Sequence, residues 1–293
     1  MTGPAFAELF RVAGVTGWLF ATDLDSGQEI GHGADERLPM ASMFKVALLV
    51  ELSRQADAGL LDLASRVTVT SAGRAPGPTG LSAMLDDVTM SLRDLAYLMI
   101  AVSDNTAADT LLGLVGMDAV NAMLEGFGFE VTRVLMTAGE TNASMAEDTG
   151  HGWPYLDPED LDRMRALDPA RTNRSTPREL ARLFGLIWRD EAASPRSCAW
   201  MRTVLNLQVW PHRLASGFPY DDVAVSGKTG TLPTVRGEAG VVEYPDGGRY
   251  AVAVVTRSLS AALNHPRADA VIGTAAHMAV DHLRRRQVMW ERG

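Results

Sequence analysis

The sequence predicts an α+β fold: one antiparallel sheet built from both termini, flanked by helices, with an all-helical part inserted between. Three observations predict it. A strand-like run rich in aromatic and β-branched residues stands near the start of the chain, at 15–23. Similar runs return after about 220. Between them, from about 66 to 200, apolar residues recur at helical spacing. One sheet drawing strands from both ends joins these pieces most economically. The chain then divides into a discontinuous α/β subdomain, 1–65 with 200–293, and a helical subdomain, 66–199.

The elements follow in order. "VTGWLFATD" at 15–23 reads as a strand, Asp23 to Gly27 as a turn, and "QEIGHG" as the start of the return strand. After Pro39 the period changes, and "SMFKVALLVELSRQADAG" reads as a helix with Ser42 at its front and Gly59 as its stop. "SLRDLAYLMIAV" at 91–102, "NTAADTLLGLV" at 105–115 and the segment 118–127 read as further helices. "STPRELARLFGLIW" at 175–188 has the Ser/Thr-Pro start and nearby Glu of a helix N-terminus. The stretch from Thr137 to Asn173 is rich in turn formers and reads as a long irregular loop. "DVAVSGKTGTL" and "EAGVVEYPDGGRYAVAVVTR" read as strands, the latter two joined by the Pro245-Asp246-Gly247-Gly248 turn. A last helix spans about 267–288, with Arg284, Arg285 and Arg286 as its cationic last turn.

Composition excludes several classes. With 293 residues, 46% hydrophobic and 22% charged, the chain is globular and long enough for a large core. A net charge of -9 argues against nucleic-acid and anionic-membrane partners. Cys198 is the sole cysteine, so no intrachain disulfide forms. Met1 to Leu9 does not resemble a secretory signal, and no apolar run approaches the ~18 residues of a membrane span. The expectation is a cytoplasmic protein, or a secreted one if a signal has been removed. The histidines at 32, 151, 212, 265, 277 and 282 show no metal-ligand spacing, and no phosphate loop or dinucleotide fingerprint occurs. No cofactor or metal is expected, and the partner is a small-molecule substrate.

The chemistry starts from the lysines. Of 27 Lys plus Arg, only Lys45 and Lys228 are lysine. Arginine keeps its proton in a protein, whereas a desolvated lysine can lose one. Ser42 and Lys45, three apart, share one helix face. A serine at a helix tip beside an amine in apolar surroundings (Met43, Phe44, Val46, Ala47, Leu48) is a nucleophile–base pair of Ser–Lys type. Ser103-Asp104-Asn105 lies between two predicted helices, and Lys228-Thr229-Gly230 lies in the strand region. Each motif alone also has a bland reading: Ser42 as an N-cap, the tripeptide at 103–105 as an interhelix turn, Lys228 as an edge protector.

Taken together and in this order, S-x-x-K, S-D-N and K-T-G make the chain resemble the serine β-lactamase/penicillin-binding protein superfamily, class A β-lactamases most closely. The resemblance runs over roughly 15–285. It implies Ser42 as the nucleophile that forms an acyl-enzyme, Lys45 as its proton acceptor, and Ser103 with Lys228 as the proton path to the leaving nitrogen. It implies Asn105 as a contact for the substrate amide and the backbone N–H groups of Ser42 and Thr231 as the oxyanion hole. Thr229, Gly230 and Thr231 would hold the substrate, and Arg236 would help receive its carboxylate. One departure stands out. Class A enzymes carry a Glu-x-x-Leu-Asn element whose glutamate activates the deacylating water, and this sequence has none. Glu140 with Asn142 lies near the expected place, and Glu147, Glu159 and Asp160 are rivals; each also reads as a solvated loop carboxylate. The expected function is therefore acylation of Ser42 by a β-lactam or related amide or ester. The alternatives are an esterase or DD-peptidase-like enzyme with slow deacylation, or a penicillin-binding pseudoenzyme.

Overall fold

A computed structural model describes residues 3–151 and 156–290. The chain opens with α1 (Gly3–Val12), β1 (Thr16–Asp23), β2 (Glu29–His32) and the short β3 (Leu38–Pro39). A 3-10 turn, Ala41–Met43, leads into α2 (Phe44–Asp57). Then come β4 (Arg66–Val69), β5 (Val88–Ser91), α3 (Leu92–Ala101), α4 (Asn105–Val115), α5 (Met117–Gly126) and α6 (Ala138–Thr149). β6 (Arg174–Ser175), α7 (Pro177–Trp188) and α8 (Pro195–Asn206) precede β7 (Ala224–Leu232), β8 (Val235–Glu243), β9 (Arg249–Arg257) and α9 (Pro266–Trp290).

The main sheet is antiparallel, in the order β2-β1-β9-β8-β7. β9, the last strand of the chain, lies at its centre beside β1, the first, so one sheet draws on both termini, as the sequence predicts. Both sheet faces are covered, so β9 is buried almost throughout. Its alternate residues still go to different cores: Tyr250, Val252 and Val254 meet Phe6, Phe10 and Ile272, while Ala251, Ala253 and Val255 join the larger core with Leu48, Met99 and Phe184. α2 is buried on nearly every side from Phe44 to Val50, which makes it the central helix of that larger core.

Several expectations change. Residues 66–69 and 88–91 form a two-stranded ribbon rather than helix. α7, grouped by sequence with 66–199, packs on β1, β8 and β9. α1 and α8 carry no clear signal in the sequence reading. The Thr137–Asn173 stretch contains a regular helix, α6, while residues 152–155 of it lie outside the described residues. α6 starts on a capping box between Thr137 and Glu140, and Asp109 of α4 accepts the next free N–H groups, from Ala138 at 2.7 Å and Gly139 at 2.8 Å. α6 lacks a full apolar stripe because, apart from Ala138 and Met145, which join the core, its inner face lines an open cleft. The arginines at 284–286 do not form a last turn, because α9 runs on to Trp290. Arg284 instead lies over the Tyr244 ring at 3.7 Å and pairs with Asp246, and Arg285 pairs with Asp281; the Arg286 side chain lies outside the described residues.

Candidate active site

Ser42 sits in the 3-10 turn that introduces α2, following Ala41 with a left-handed φ of 47°. That turn presses on β7. A Cβ at Gly230 would stand 2.8 Å from the Met40 carbonyl oxygen, and one at Gly237 would stand 2.9 Å from the Met43 methyl. Gly230 therefore serves close packing of the serine turn on the strand. It does not line the cleft, contrary to the sequence expectation of a substrate contact.

Lys45, the second residue of α2, has no exposed surface. Its Nζ donates to Ser103 O at 2.7 Å, Asn105 Oδ1 at 2.8 Å and Ser103 Oγ at 3.3 Å. Burial pulls its pKa down to about 7, against the opposing pull of Asp104 and Asp109. Lys228, on β7, is equally buried and donates to Ser103 Oγ at 3.0 Å and to Thr229 O at 3.0 Å. Burial and then the neighbouring Lys45 hold its pKa well below the usual lysine range. The Ser103 hydroxyl thus receives both amines, and the two lone pairs of its oxygen suffice for both. Ser103 is held left-handed at φ 61°, a strained conformation for a residue with a side chain. Its neighbour Asp104 fixes the turn by accepting from Ala107 N, Leu81 N and Ser82 Oγ. Asn105 donates from Nδ2 to Pro76 O at 2.7 Å.

Ser42, Ser103, Asn105, Thr229, Thr231 and Arg236 all line one cleft of about 1240 Å³. The two lysines lie beneath it and meet at Ser103, and Ser42 lines the same cleft. Arg236 is turned partly away: its Nη2 donates to the carbonyls of Ala262 and Leu263, and its Nε lies 3.6 Å from Asp269. The guanidinium bonded to the K-T-G strand belongs to Arg213, which sequence reading missed. It donates to Thr231 Oγ1 at 2.8 Å, to the carbonyls of Gly230 and Gly237 at 2.9 Å, and to Asp269 at 2.7 Å. No local pattern marks Arg213 among so many arginines. Removing it would take the bonded cation from the Asp269 carboxylate and an added donor from two carbonyls of the β7–β8 ladder. Arg213→Ala is expected to lower the unfolding free energy by about 3–5 kcal/mol, read from a denaturant midpoint.

The four carboxylates considered for deacylation lie elsewhere. Glu140 Oε2 accepts from Thr137 N at 2.7 Å within the capping box. Glu147 pairs with Arg165, Asp160 with Arg163 and His151, and Glu159 is exposed on a 3-10 turn. Among the described residues the only carboxylate lining the cleft is Asp269, which Arg213 holds. α6 contributes Ala138, Thr141 and Asn142, among others, to the lining of the cleft, and no carboxylate. Away from the cleft the fold gathers His151, Asp157 and Asp160, a grouping that histidine spacing did not reveal. Its buried member, Asp160, already receives Asp157 N, Arg163 and His151.

Comparison with known proteins agrees with this geometry. The family model described as "Beta-lactamase enzyme family" matches residues 4–283. A β-lactamase regulatory protein, BlaB, from Streptomyces cacaoi is 33% identical, over 94% of this chain and 96% of its own length. The crystal structure of a β-lactamase from Sphaerobacter thermophilus superposes with a TM-score of 0.78 at 27% identity, covering 97% of this chain and 99% of that one. A mutant of PBP-A, solved as an acyl-enzyme complex with penicillin G, superposes with a TM-score of 0.79 at 25% identity, covering 97% and 96%. With the family model matching residues 4–283 of its 293, this chain belongs to the β-lactamase enzyme family.

Proposed function

We propose that the protein acylates itself at Ser42 with a β-lactam or a related amide or ester, and releases the acyl group slowly. The observation that carries this reading is the meeting of Lys45 and Lys228 at Ser103, in a cleft that Ser42 also lines and whose one carboxylate among the described residues is tied to an arginine. Ser42 Oγ attacks the carbonyl carbon while its proton passes to neutral Lys45. The oxyanion collects at the backbone N–H groups of Ser42 and Thr231, each donor contributing about 3–4 kcal/mol in comparable sites. As the carbon–nitrogen bond breaks, Ser103 gives its proton to the leaving nitrogen and is reprotonated from Lys45, which restores the starting charges. The substrate carboxylate lies toward Thr229, Thr231 and Arg213.

Slow release follows from the cleft wall. Hydrolysis needs a base to activate water, and α6 presents an alanine, a threonine and an asparagine there. A regulatory use of the long-lived adduct is a second reading, favoured by the similarity to BlaB over nearly the full length of both chains.

Intact-mass measurement with benzylpenicillin, run beside turnover of a chromogenic cephalosporin, tests the proposal. The expected result is one acyl group per chain that persists long after free drug is removed, with little turnover. Fast turnover without a detectable adduct would refute slow release, and the absence of both signals would refute acylation. The pH dependence is a further expected result. The base must be neutral, so acylation is present above the Lys45 pKa and is lost as pH falls through about 7. Second-order acylation rates across that range check it.

A further inference from the structure

α4 carries a carboxylate that the acylation chemistry has not used. Asp109 stands one turn after Asn105, so the two side chains lie on one face of that helix. Asn105 Oδ1 accepts from Lys45 Nζ at 2.8 Å, which puts the amine at the head of the same face. Asp109 is fixed from its other side by α6, Oδ1 accepting from Ala138 N and Oδ2 from Gly139 N. Two oxygens facing two N–H donors is the pattern of an ionised carboxylate, which accepts and does not donate. The fit is close: a Cβ at Gly139 would stand 2.9 Å from Asp109 Oδ2. Burial raises the Asp109 pKa, the bonds from Gly139 and Ala138 and the nearby Lys45 pull it down, and Glu140 of α6 pushes weakly upward.

Three charged side chains surround the Lys45 amine. Asp104, the N-cap of α4, and Asp109 both favour its ammonium form. Lys228, on β7, meets the same Ser103 hydroxyl. Burial outweighs the carboxylates and leaves the amine at about 7. A general base works best near the working pH, where it is neutral often enough to accept a proton and basic enough to hold it. Burial alone would make this amine neutral but feeble, and the carboxylates correct that. Asp104 also builds the Ser103 turn through Leu81 N, Ser82 Oγ and Ala107 N, so changing it would move the site. Asp109 bonds only to the start of α6 and leaves that turn alone.

We infer that Asp109 is a positioning residue for acylation: its fixed negative charge, one helical turn behind the side chain that holds the Lys45 amine, keeps that amine basic enough to take the Ser42 proton. The inference rests on the Ser42 reading above and deepens it.

The lysine census supplies the test. Lys45 and Lys228 are the only lysines in the chain, so the full protein labelled with carbon-13 at lysine Cε gives two side-chain signals, and Lys228→Arg tells them apart. Titration of the Lys45 signal by NMR is expected to give a midpoint near pH 7 in wild type. Asp109→Asn removes the charge that favours the ammonium, so the midpoint is expected to fall by about one pH unit. Glu140→Gln removes a charge from the same wall and keeps the capping pattern, and its midpoint is expected to stay at the wild-type value. The acylation profile with benzylpenicillin is read alongside, and its midpoint is expected to follow the amine downward in Asp109→Asn. A loosened α6 would instead scale the rate equally at every pH and leave the midpoint fixed. A folded Asp109→Asn protein with the wild-type Lys45 midpoint would overturn the inference, as would an equal shift in Glu140→Gln. Should Asp109→Asn not fold, Asp109→Ser is titrated in its place, since it lacks the charge and can still accept from a helix N-terminus. No adduct in wild type would remove the Ser42 reading, and the amine titration would still decide what Asp109 does to Lys45.

Discussion

Ser42→Ala is expected to abolish the covalent adduct with every β-lactam and ester, while the protein remains folded. The effect is total because the bond in question forms through Oγ. The fold survives because the Ser42 turn is held by the Met40 carbonyl and the Met43 side chain packing on Gly230 and Gly237, which an alanine at 42 does not disturb. Met43 N also still donates to Met40 O across the turn. Intact mass after overnight exposure to benzylpenicillin gives the answer, with thermal unfolding as the control. An adduct that survives in Ser42→Ala would place the nucleophile elsewhere, and peptide mapping would locate it.

Lys45→Arg is expected to slow acylation by about 10²–10⁴-fold, the range that a positioned general base supplies. That corresponds to about 3–5 kcal/mol of lost transition-state stabilisation. The charge is nearly conserved, but the proton acceptor is not. A guanidinium keeps its proton at any accessible pH, whereas burial brings the Lys45 amine down to about 7. The larger side chain enters a site with no free surface, and overpacking is expected to cost about 1–3 kcal/mol of stability. Lys45→Met separates the two effects. It is close in volume, makes none of the bonds to Ser103 and Asn105, and should acylate as poorly as Lys45→Arg. Stopped-flow acylation rates, read beside the unfolding midpoint of each variant, check this. A Lys45→Arg protein that acylates at close to the wild-type rate would refute proton transfer through Lys45.

Much of the fold was legible because its signals are local. Strand runs such as 15–23 and 249–257 are rich in apolar, aromatic and β-branched residues, and helices such as 105–115 and 177–188 carry their own caps and apolar stripes. α6 was not legible, because much of its inner side meets solvent in a cleft and so shows no apolar stripe, and because Asp109 of α4, far off in the chain, accepts two of its first N–H groups. Glu140 misled for the same reason. By position in the chain it stood near where the family keeps a deacylating glutamate, yet its carboxylate is used in the cap of its own helix. Arg213 had no signature at all, since it acts on strands about twenty residues further along the chain.

By itself the sequence determined which side chains were available and how neighbours within a turn are spaced: Ser42 with Lys45, Ser103 with Asn105, Lys228 with Thr229. Only the tertiary structure decided that these pairs meet. Lys45 reaches Ser103 across 58 residues of chain, and Lys228 reaches it across 125. It also decided their charge, because the pKa of a buried amine depends on everything packed around it. Desolvation is a property of the whole fold, and no local pattern of residues encodes it.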